Sequence, residues 1–381
     1  MSTVEQEPES AAPAAQRYTL PARAYTDPAI LERERREVFA RAWTMACHVS
    51  HVAEPGQFAT TSIAGEPVAV LRDNDGQLRA LSNVCRHRAM KILSGKGDCP
   101  KVLRCPYHGW TYRQDGQLAA VPEARGFPAL DRAAVRLPSF RVEERAGLVW
   151  VCLSDETEPL DEFLGELGPR LDSLGIANLV PLEKEYVSEY AHNWKVVADN
   201  YLEGYHIPVG HPGLLRLLDY KRYVATVARR GAWIDGPFRE KASNDRRERL
   251  YQRLLRPMPG FPEELKRAWT YVHVWPAQMI DIYPDMMDTW RIEPAGTDVR
   301  RTRTTSMVMR HPGEGVRDRL ARNLNWKINR LVMDEDVELC DGVQEGLEAL
   351  TYERGVLNAN ENAVANFHDL LREAVPGIDD A

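Results

Sequence analysis

No stretch of the 381 residues runs apolar for anything near the ~20 residues a helix needs to cross a bilayer. Cysteine is scarce. The six, at positions 47, 85, 99, 105, 152 and 340, fall in no regular pairs, which argues against a secreted disulfide framework and suits a reducing cytoplasm. Basic charge is not in excess either: 49 Lys and Arg against 56 Asp and Glu give a formal charge of −7. That balance offers no electrostatic footprint for nucleic acid or an anionic membrane. There is no GxGxxG fingerprint, no Gly-rich phosphate loop and no internal repeat, so a built-in nicotinamide or flavin domain is not expected. Met1 to Gln16, rich in Ala, Glu and Pro, has neither a basic start nor an apolar centre and is not expected to act as a signal peptide. What is present is ordinary for globular chains, 44% hydrophobic and 28% charged, with length for two domains.

The first chemistry-bearing stretch is Asn83-Val84-Cys85-Arg86-His87-Arg88, followed after a loop by Leu103-Arg104-Cys105-Pro106-Tyr107-His108-Gly109-Trp110. Four of the chain's sixteen Cys and His residues fall in these two arms. A [2Fe–2S] cluster of the Rieske kind takes two thiolates on one iron and two imidazoles on the other. Each arm here offers one of each, so two facing loops can supply both pairs. A Cys₂His₂ zinc site is the competing reading, but zinc modules group their ligands by type and seldom use Cys-x-His. Cys47, Cys152 and Cys340 are expected to be small buried hydrophobes.

Around that window the pattern is all-β. Phe58-Ala59-Thr60, Pro67 to Leu71 and Leu78 to Leu81 read as strands, with Asp73-Asn74-Asp75-Gly76 as a hairpin turn. Trp110 to Tyr112, Phe140 to Val142 and Gly147 to Val151 continue the set. The expected division is a disordered tail over 1–18, an N-terminal helix over 19–47 opened by Thr26-Asp27-Pro28, a small β domain over 48–156, and a larger domain over 157–381. In the larger domain Leu160 to Leu174 reads as helical and Tyr186 to Tyr190 as a strand. Tyr271 to Ile292 and Arg301 to Met309 alternate like one antiparallel sheet. Val316 to Leu350 and Glu361 to Ala374 read as helices. Residues 235–268 are charge-dense and read as a solvated helix and loop, or a cover over a site. The fold class is α+β.

The run from Asn193 to His206 reads as a helix, followed by Ile207-Pro208-Val209-Gly210-His211-Pro212. On a continuous helix Asn200, Glu203 and His206 recur at three-residue steps and share a face. His211, past Pro208, can fold back beside His206. Two imidazoles with one carboxylate make the facial triad of non-haem Fe(II). By itself the same pattern also describes a capped helix end.

Together these motifs resemble the Rieske non-haem iron oxygenases, the ring-hydroxylating family. The cluster arms resemble that family's Rieske domain. Asn193-Trp194-Lys195, Asn200, Glu203, Tyr205-His206 and His211 before Pro212 resemble its iron-binding signature. Respiratory Rieske proteins carry an extra Cys in each cluster loop; Ala89, Met90 and Tyr107 stand here instead, which favours the oxygenase branch with its low-potential cluster. The resemblance implies a helix-grip catalytic domain, a Rieske [2Fe–2S] cluster on Cys85, His87, Cys105 and His108, and a mononuclear Fe(II) on His206, His211 and a late carboxylate. In Met333-Asp334-Glu335-Asp336-Val337-Glu338-Leu339-Cys340, Asp336 matches that carboxylate best, with Asp334 and Glu335 as alternatives. Glu203 is implied to bridge His206 to His108 of the next subunit in a head-to-tail homotrimer, with or without a small β subunit, and Asn200 to support the bridge. The implied partners are O₂, a small organic substrate and a separate NAD(P)H-dependent reductase, with or without a ferredoxin. The pattern leans to the choline-, carnitine- and betaine-type monooxygenases, with aromatic-ring mono- or dioxygenation as the alternative. A non-catalytic electron-transfer or zinc-binding protein is the rival class. For a quaternary ammonium substrate, Tyr271, Trp275, Tyr283 and Trp290 are the candidates for an aromatic cage.

Overall fold

The computed structural model describes residues 16–99 and 101–380, and two antiparallel sheets organise them. In the smaller domain the strands are β1 (Thr44–His48), β2 (Gln57–Ile63), β3 (Glu66–Arg72), β4 (Leu78–Ser82), β5 (Lys96–Asp98), β6 (Val102–Arg104), β7 (Thr111–Arg113), β8 (Leu118–Ala120), β9 (Ser139–Arg145) and β10 (Leu148–Cys152). Seven of them form one sheet in the order β1-β10-β9-β4-β3-β2-β5, and β6-β7-β8 form a second. The β3–β4 hairpin closes where the sequence predicts. The Asp73 carboxylate accepts the Asp75 and Gln77 N–H groups, and Gly76 takes the positive φ (+79°) that the turn requires.

The larger domain is built on β11 (Val180–Pro181), β12 (Tyr186–Tyr190), β13 (Val224–Ala228), β14 (Gly231–Pro237), β15 (Ala268–Val274), β16 (Gln278–Tyr283), β17 (Met286–Pro294) and β18 (Thr302–Arg310). The order is β11-β18-β17-β16-β15-β14-β13, with β12 also paired to β18. Strands β15 and β16 are buried on both faces, and their alternation decides what each face does. Val272, Ile280, Ile282 and Met287 share a core with Leu148 and Trp150 of the smaller domain. On the other face Tyr271, Met279, Asp281, Tyr283, Asp288 and Trp290 line a cavity.

Four helices matter for the site: α1 (Pro28–Glu34), α2 (Trp194–Tyr201), α3 (Val316–Leu347) and α4 (Asn362–Ala374). Helix α3 covers the cavity with Trp326, Asn329, Met333, Asp336, Val337 and Cys340, a set at helical spacing on one stripe. Helix α1 opens as expected, with Asp27 accepting the Ala29 N–H (2.8 Å) and Pro28 at the first position. The charge-dense 235–268 segment contributes a helix, Arg246–Leu254, whose Tyr251 is buried and donates to Asp285 (2.9 Å).

Three expectations shift. Of the tail expected over 1–18, residues 1–15 lie outside the described residues, and Arg17–Tyr18 pair with Val356–Leu357. The small domain begins before 48, because β1 starts at Thr44. The helix expected from 193 to 206 stops at Tyr201, so Glu203 and His206 do not share a helix face with Asn200. Gly204 stands in the turn that follows, where a Cβ would lie 2.4 Å from the Tyr223 ring, so that only glycine fits.

The N-terminal segment is tied to α2 by a buried ion pair. Lys195 Nζ lies 2.6 Å from Glu34 Oε1, with side-chain exposures of 1% and 0%, and Trp194 Nε1 donates to Glu34 Oε2 (2.8 Å). Burial pulls the Lys195 pKa down, and Glu34 opposes it. Removing one partner strands a buried charge. Lys195→Met is therefore expected to destabilise the chain by about 3–5 kcal/mol, while Lys195→Met with Glu34→Gln recovers much of the loss; thermal unfolding of the two variants checks it.

Candidate active site

The two Cys/His arms fold into matching loops. In the first, Cys85 N–H donates to Met90 O (2.9 Å) and Ala89 N–H to Cys85 O (3.0 Å); in the second, Cys105 N–H donates to Trp110 O (2.8 Å) and Gly109 N–H to Cys105 O (3.0 Å). Ala89 and Gly109 occupy the same place in the two loops, and both take positive φ (+55° and +73°). The backbones thus superpose in kind, while His87 and His108 stand one position apart. The loops bring the two imidazoles together, ring centres 4.6 Å apart, above two buried cysteines. His87 stacks on Trp110 at 5.0 Å, and its Nδ1 is buried without a hydrogen-bond partner. A buried imidazole nitrogen with nothing to bond is costly unless a metal takes its lone pair. His108 is half-buried beside Tyr107, which is 54% exposed. Tyr112 accepts the Arg86 N–H (3.0 Å) and places its hydroxyl 3.3 Å from Cys85 Sγ. Burial and the neighbouring Cys85 raise its pKa, so it stays protonated and can donate to that sulfur.

The second group forms where α2 ends, at the turn 203–211 and the middle of α3. One ligand atom from each of His206, His211 and Asp336 lies within 4.8 Å of the others. Asp336 Oδ1 is 2.9 Å from His211 Nε2 and 3.8 Å from His206 Nε2. The far nitrogens are held by two other carboxylates: Glu203 Oε1 bonds His206 Nδ1, and Glu335 Oε2 lies 2.8 Å from His211 Nδ1. Each carboxylate fixes the Nδ1–H tautomer. Both Nε2 lone pairs then face one carboxylate oxygen. With both rings neutral, three electron-rich atoms converge and repel one another, and a proton on His211 Nε2 or a cation between them relieves it. Burial alone would lower the His211 pKa, but Asp336 and Glu335 outweigh it and the net shift is upward.

The late acidic run is resolved by helix geometry. Asp336 points into the group, Glu335 holds His211 from outside, and Asp334 turns away to pair with Arg330 (3.0 Å). Glu203 reaches His206 through the turn rather than along a helix, and its other oxygen accepts the Tyr205 and His206 N–H groups. Asn200 lines the cavity, but no hydrogen bond among the described residues joins it to Glu203.

The cavity beside this group is walled by Tyr201, Tyr223, Tyr271, Tyr283, Trp290 and Trp326. Three of the four expected cage residues are there. Trp275 is not: it lies on the far side of the sheet end, packed against Phe367 (5.8 Å). Sequence reading missed two carboxyls in the same wall, Asp281 and Asp288, which sit directly opposite each other on β16 and β17. Tyr201 O–H donates to Asp281 (2.6 Å) and Trp290 Nε1–H to Asp288 (2.9 Å). Burial pushes Asp281 up to about 6 and Asp288 well above the carboxylate range, the latter also through facing Asp281.

Comparison with known proteins agrees with both halves. Residues 42–140 match the Rieske [2Fe–2S] domain, and residues 177–377 match the catalytic domain of the ring hydroxylating alpha subunit. The carnitine monooxygenase oxygenase subunit of Escherichia coli (strain K12) is 29% identical over 367 residues, covering 93% of each chain. The chloroplastic choline monooxygenase of Arabidopsis thaliana is 30% identical over 366 residues, covering 93% of this chain and 82% of its own. Among solved structures, a quaternary ammonium Rieske monooxygenase in complex with L-carnitine superposes with a TM-score of 0.79 at 26% identity, covering 94% of this chain and 96% of that one.

If Glu335 orients His211, Glu335→Ala should lower the affinity for mononuclear iron by about 10- to 100-fold. The visible spectrum of the cluster should not change. Iron retention against a graded chelator series, read beside that spectrum, checks both halves.

Proposed function

The chain belongs to the ring-hydroxylating alpha subunit family, and from that premise we propose that it hydroxylates or oxidatively demethylates a small quaternary ammonium compound. It is an oxidoreductase, the oxygenase component of a Rieske system, with a Rieske [2Fe–2S] cluster and a mononuclear iron as cofactors. In this reading Cys85, His87, Cys105 and His108 hold the cluster, and His206, His211 and Asp336 hold the iron. The iron supplies O₂ activation when bound, drawing electrons by way of the cluster.

The observation that carries the substrate reading is the wall of aromatic rings on the cavity that His206, His211 and Asp336 face. A trimethylammonium group is held by ring faces through the quadrupole, at about 0.5–2 kcal/mol per ring. Tyr201, Tyr271, Tyr283 and Trp290 present such rings. The Tyr201 and Tyr283 hydroxyls and the Trp290 indole N–H are engaged with the buried carboxyls of Asp281 and Asp288, which fixes those rings in the wall. The relatives named for carnitine and choline support the same class. Glu203 and Glu335 keep the two imidazoles in one tautomer, and the aromatic wall limits the water beside the reacting group.

Electron delivery implies partners. The chain lacks a nicotinamide fingerprint, so a separate reductase is required. Two exposed patches flank the centres: Tyr107 and Met90 beside His108, and Tyr205 and Val209 (88% exposed) beside Glu203. They suit head-to-tail docking of identical chains in a trimer, with Glu203 joining His206 to His108 of the next subunit. We place the enzyme in the cytoplasm; no helix among the described residues is long and apolar enough to cross a membrane.

Three outcomes are expected. With a surrogate reductase, choline- or carnitine-type compounds should stimulate O₂ uptake with stoichiometric product; NADH oxidation without product across that class would overturn the reading. His206→Ala should keep the brown cluster colour, lose only the mononuclear iron and give no product. Separately, Glu203→Gln should retain both metals, yet slow single-turnover oxidation of the reduced cluster by at least about tenfold; an unchanged rate would remove the bridge.

A further inference from the structure

The cavity wall contains something an aromatic cage does not need. Asp281 and Asp288 face each other across β16 and β17, and Tyr271 stands in the same cross-strand row, opposite Asp281 on β15. Like-charged groups directly opposite on a sheet repel, and a buried carboxylate without a counter-charge is costly. No Lys, Arg or His forms an ion pair with either residue among the described residues, and no Lys or Arg lines the cavity. Its basic side chains are His192, His206 and His211. The last two belong to the metal group, and the first is bonded to Asp341 (3.0 Å). Hydrogen bonds from Tyr201, Tyr283 and Trp290 steady the pair but bring no positive charge.

We propose that the Asp281–Asp288 pair is the cation-recognition subsite of this cavity, and that the substrate is a small cation carrying no carboxylate of its own. This rests on the quaternary ammonium reading and narrows it. In the empty cavity a proton held between the two carboxyls takes the place of the missing cation, which agrees with the upward displacement of both acids. An ammonium ligand would replace that proton and meet both the carboxyls and the faces of Tyr271 and Trp290. A zwitterion of the carnitine type brings a carboxylate into a chamber that already holds two acids, and no Lys or Arg is there to receive it. The subsite therefore favours a choline-like ligand over a carnitine-like one.

Titration calorimetry on the holoenzyme tests it with three ligands: choline, its neutral isostere in which a tert-butyl group replaces the trimethylammonium, and L-carnitine. Choline is expected to bind at least about tenfold more tightly than either. Asp288→Asn and Asp281→Asn should bring choline and the isostere within about threefold of each other, with iron content and cluster spectrum unchanged. Carnitine binding as tightly as choline would overturn the subsite while leaving the quaternary ammonium reading intact, and so would Asn variants that keep the full preference. Binding of none of the cationic compounds would overturn that reading and the subsite with it. The wild-type ligand series decides the question even if an Asn variant fails to fold.

Discussion

The structure is arranged around one electrostatic problem, which is how to aim two imidazole lone pairs and a carboxylate at the same point. Left alone, each ring would turn or take a second proton. Glu203 and Glu335 prevent the turning by occupying the Nδ1 side of His206 and His211. Everything larger serves that arrangement. The turn after Tyr201, where Gly204 leaves room for the Tyr223 ring, delivers Glu203 to His206. Asp336 and Glu335 are neighbours on α3, so one helix supplies both a member of the group and the restraint on another member. The buried Glu34–Lys195 pair fixes the root of α2 against the N-terminal segment.

The cluster loops solve a parallel problem differently. Here the backbone, rather than carboxylates, imposes the geometry: two five-residue turns with the same hydrogen bonds and the same left-handed residue. The histidines are then distinguished by surroundings. His87 is stacked on Trp110, while His108 lies beside the exposed Tyr107, both rings half-buried. In the proposed electron path His108 is the ring that faces the next chain. The unequal Cys-x-His and Cys-x-x-His spacings are the sequence trace of this difference in surroundings.

Much of this was legible in the sequence, and what was not has physical reasons. Ligand spacing in the cluster arms is local, since each Cys and His pair lies within one turn, and local patterns survive in one dimension. The hairpin at Asp73 and the cap at Asp27 were legible on the same ground. Asp334, Glu335 and Asp336 were not separable, because consecutive helix residues point about 100° apart and only the neighbouring elements decide which direction faces the site. The helix expected through His206 stops at Tyr201, and the turn beyond it packs Gly204 against the Tyr223 ring, a tertiary contact that helical spacing does not reveal. Trp275 was a fair candidate by residue type, but β15 stops at Val274, and in the turn beyond it strand alternation no longer directs the side chain.

Asp281 and Asp288 went unread because their meeting depends on the register of two strands. In Gln278-Met-Ile-Asp-Ile-Tyr283 a lone acid among apolar residues carries no local sign of its partner on the next strand. Both carboxyls are buried and face each other across the register. A fold that sought only stability would gain by replacing such a pair with apolar residues. Its aromatic neighbours could have filled the wall alone, so structural need does not account for two uncompensated acids. What accounts for them is a ligand that brings the compensating charge. With the cation bound, the shared proton is no longer needed, so that recognition of the cation and completion of the cavity wall are the same event.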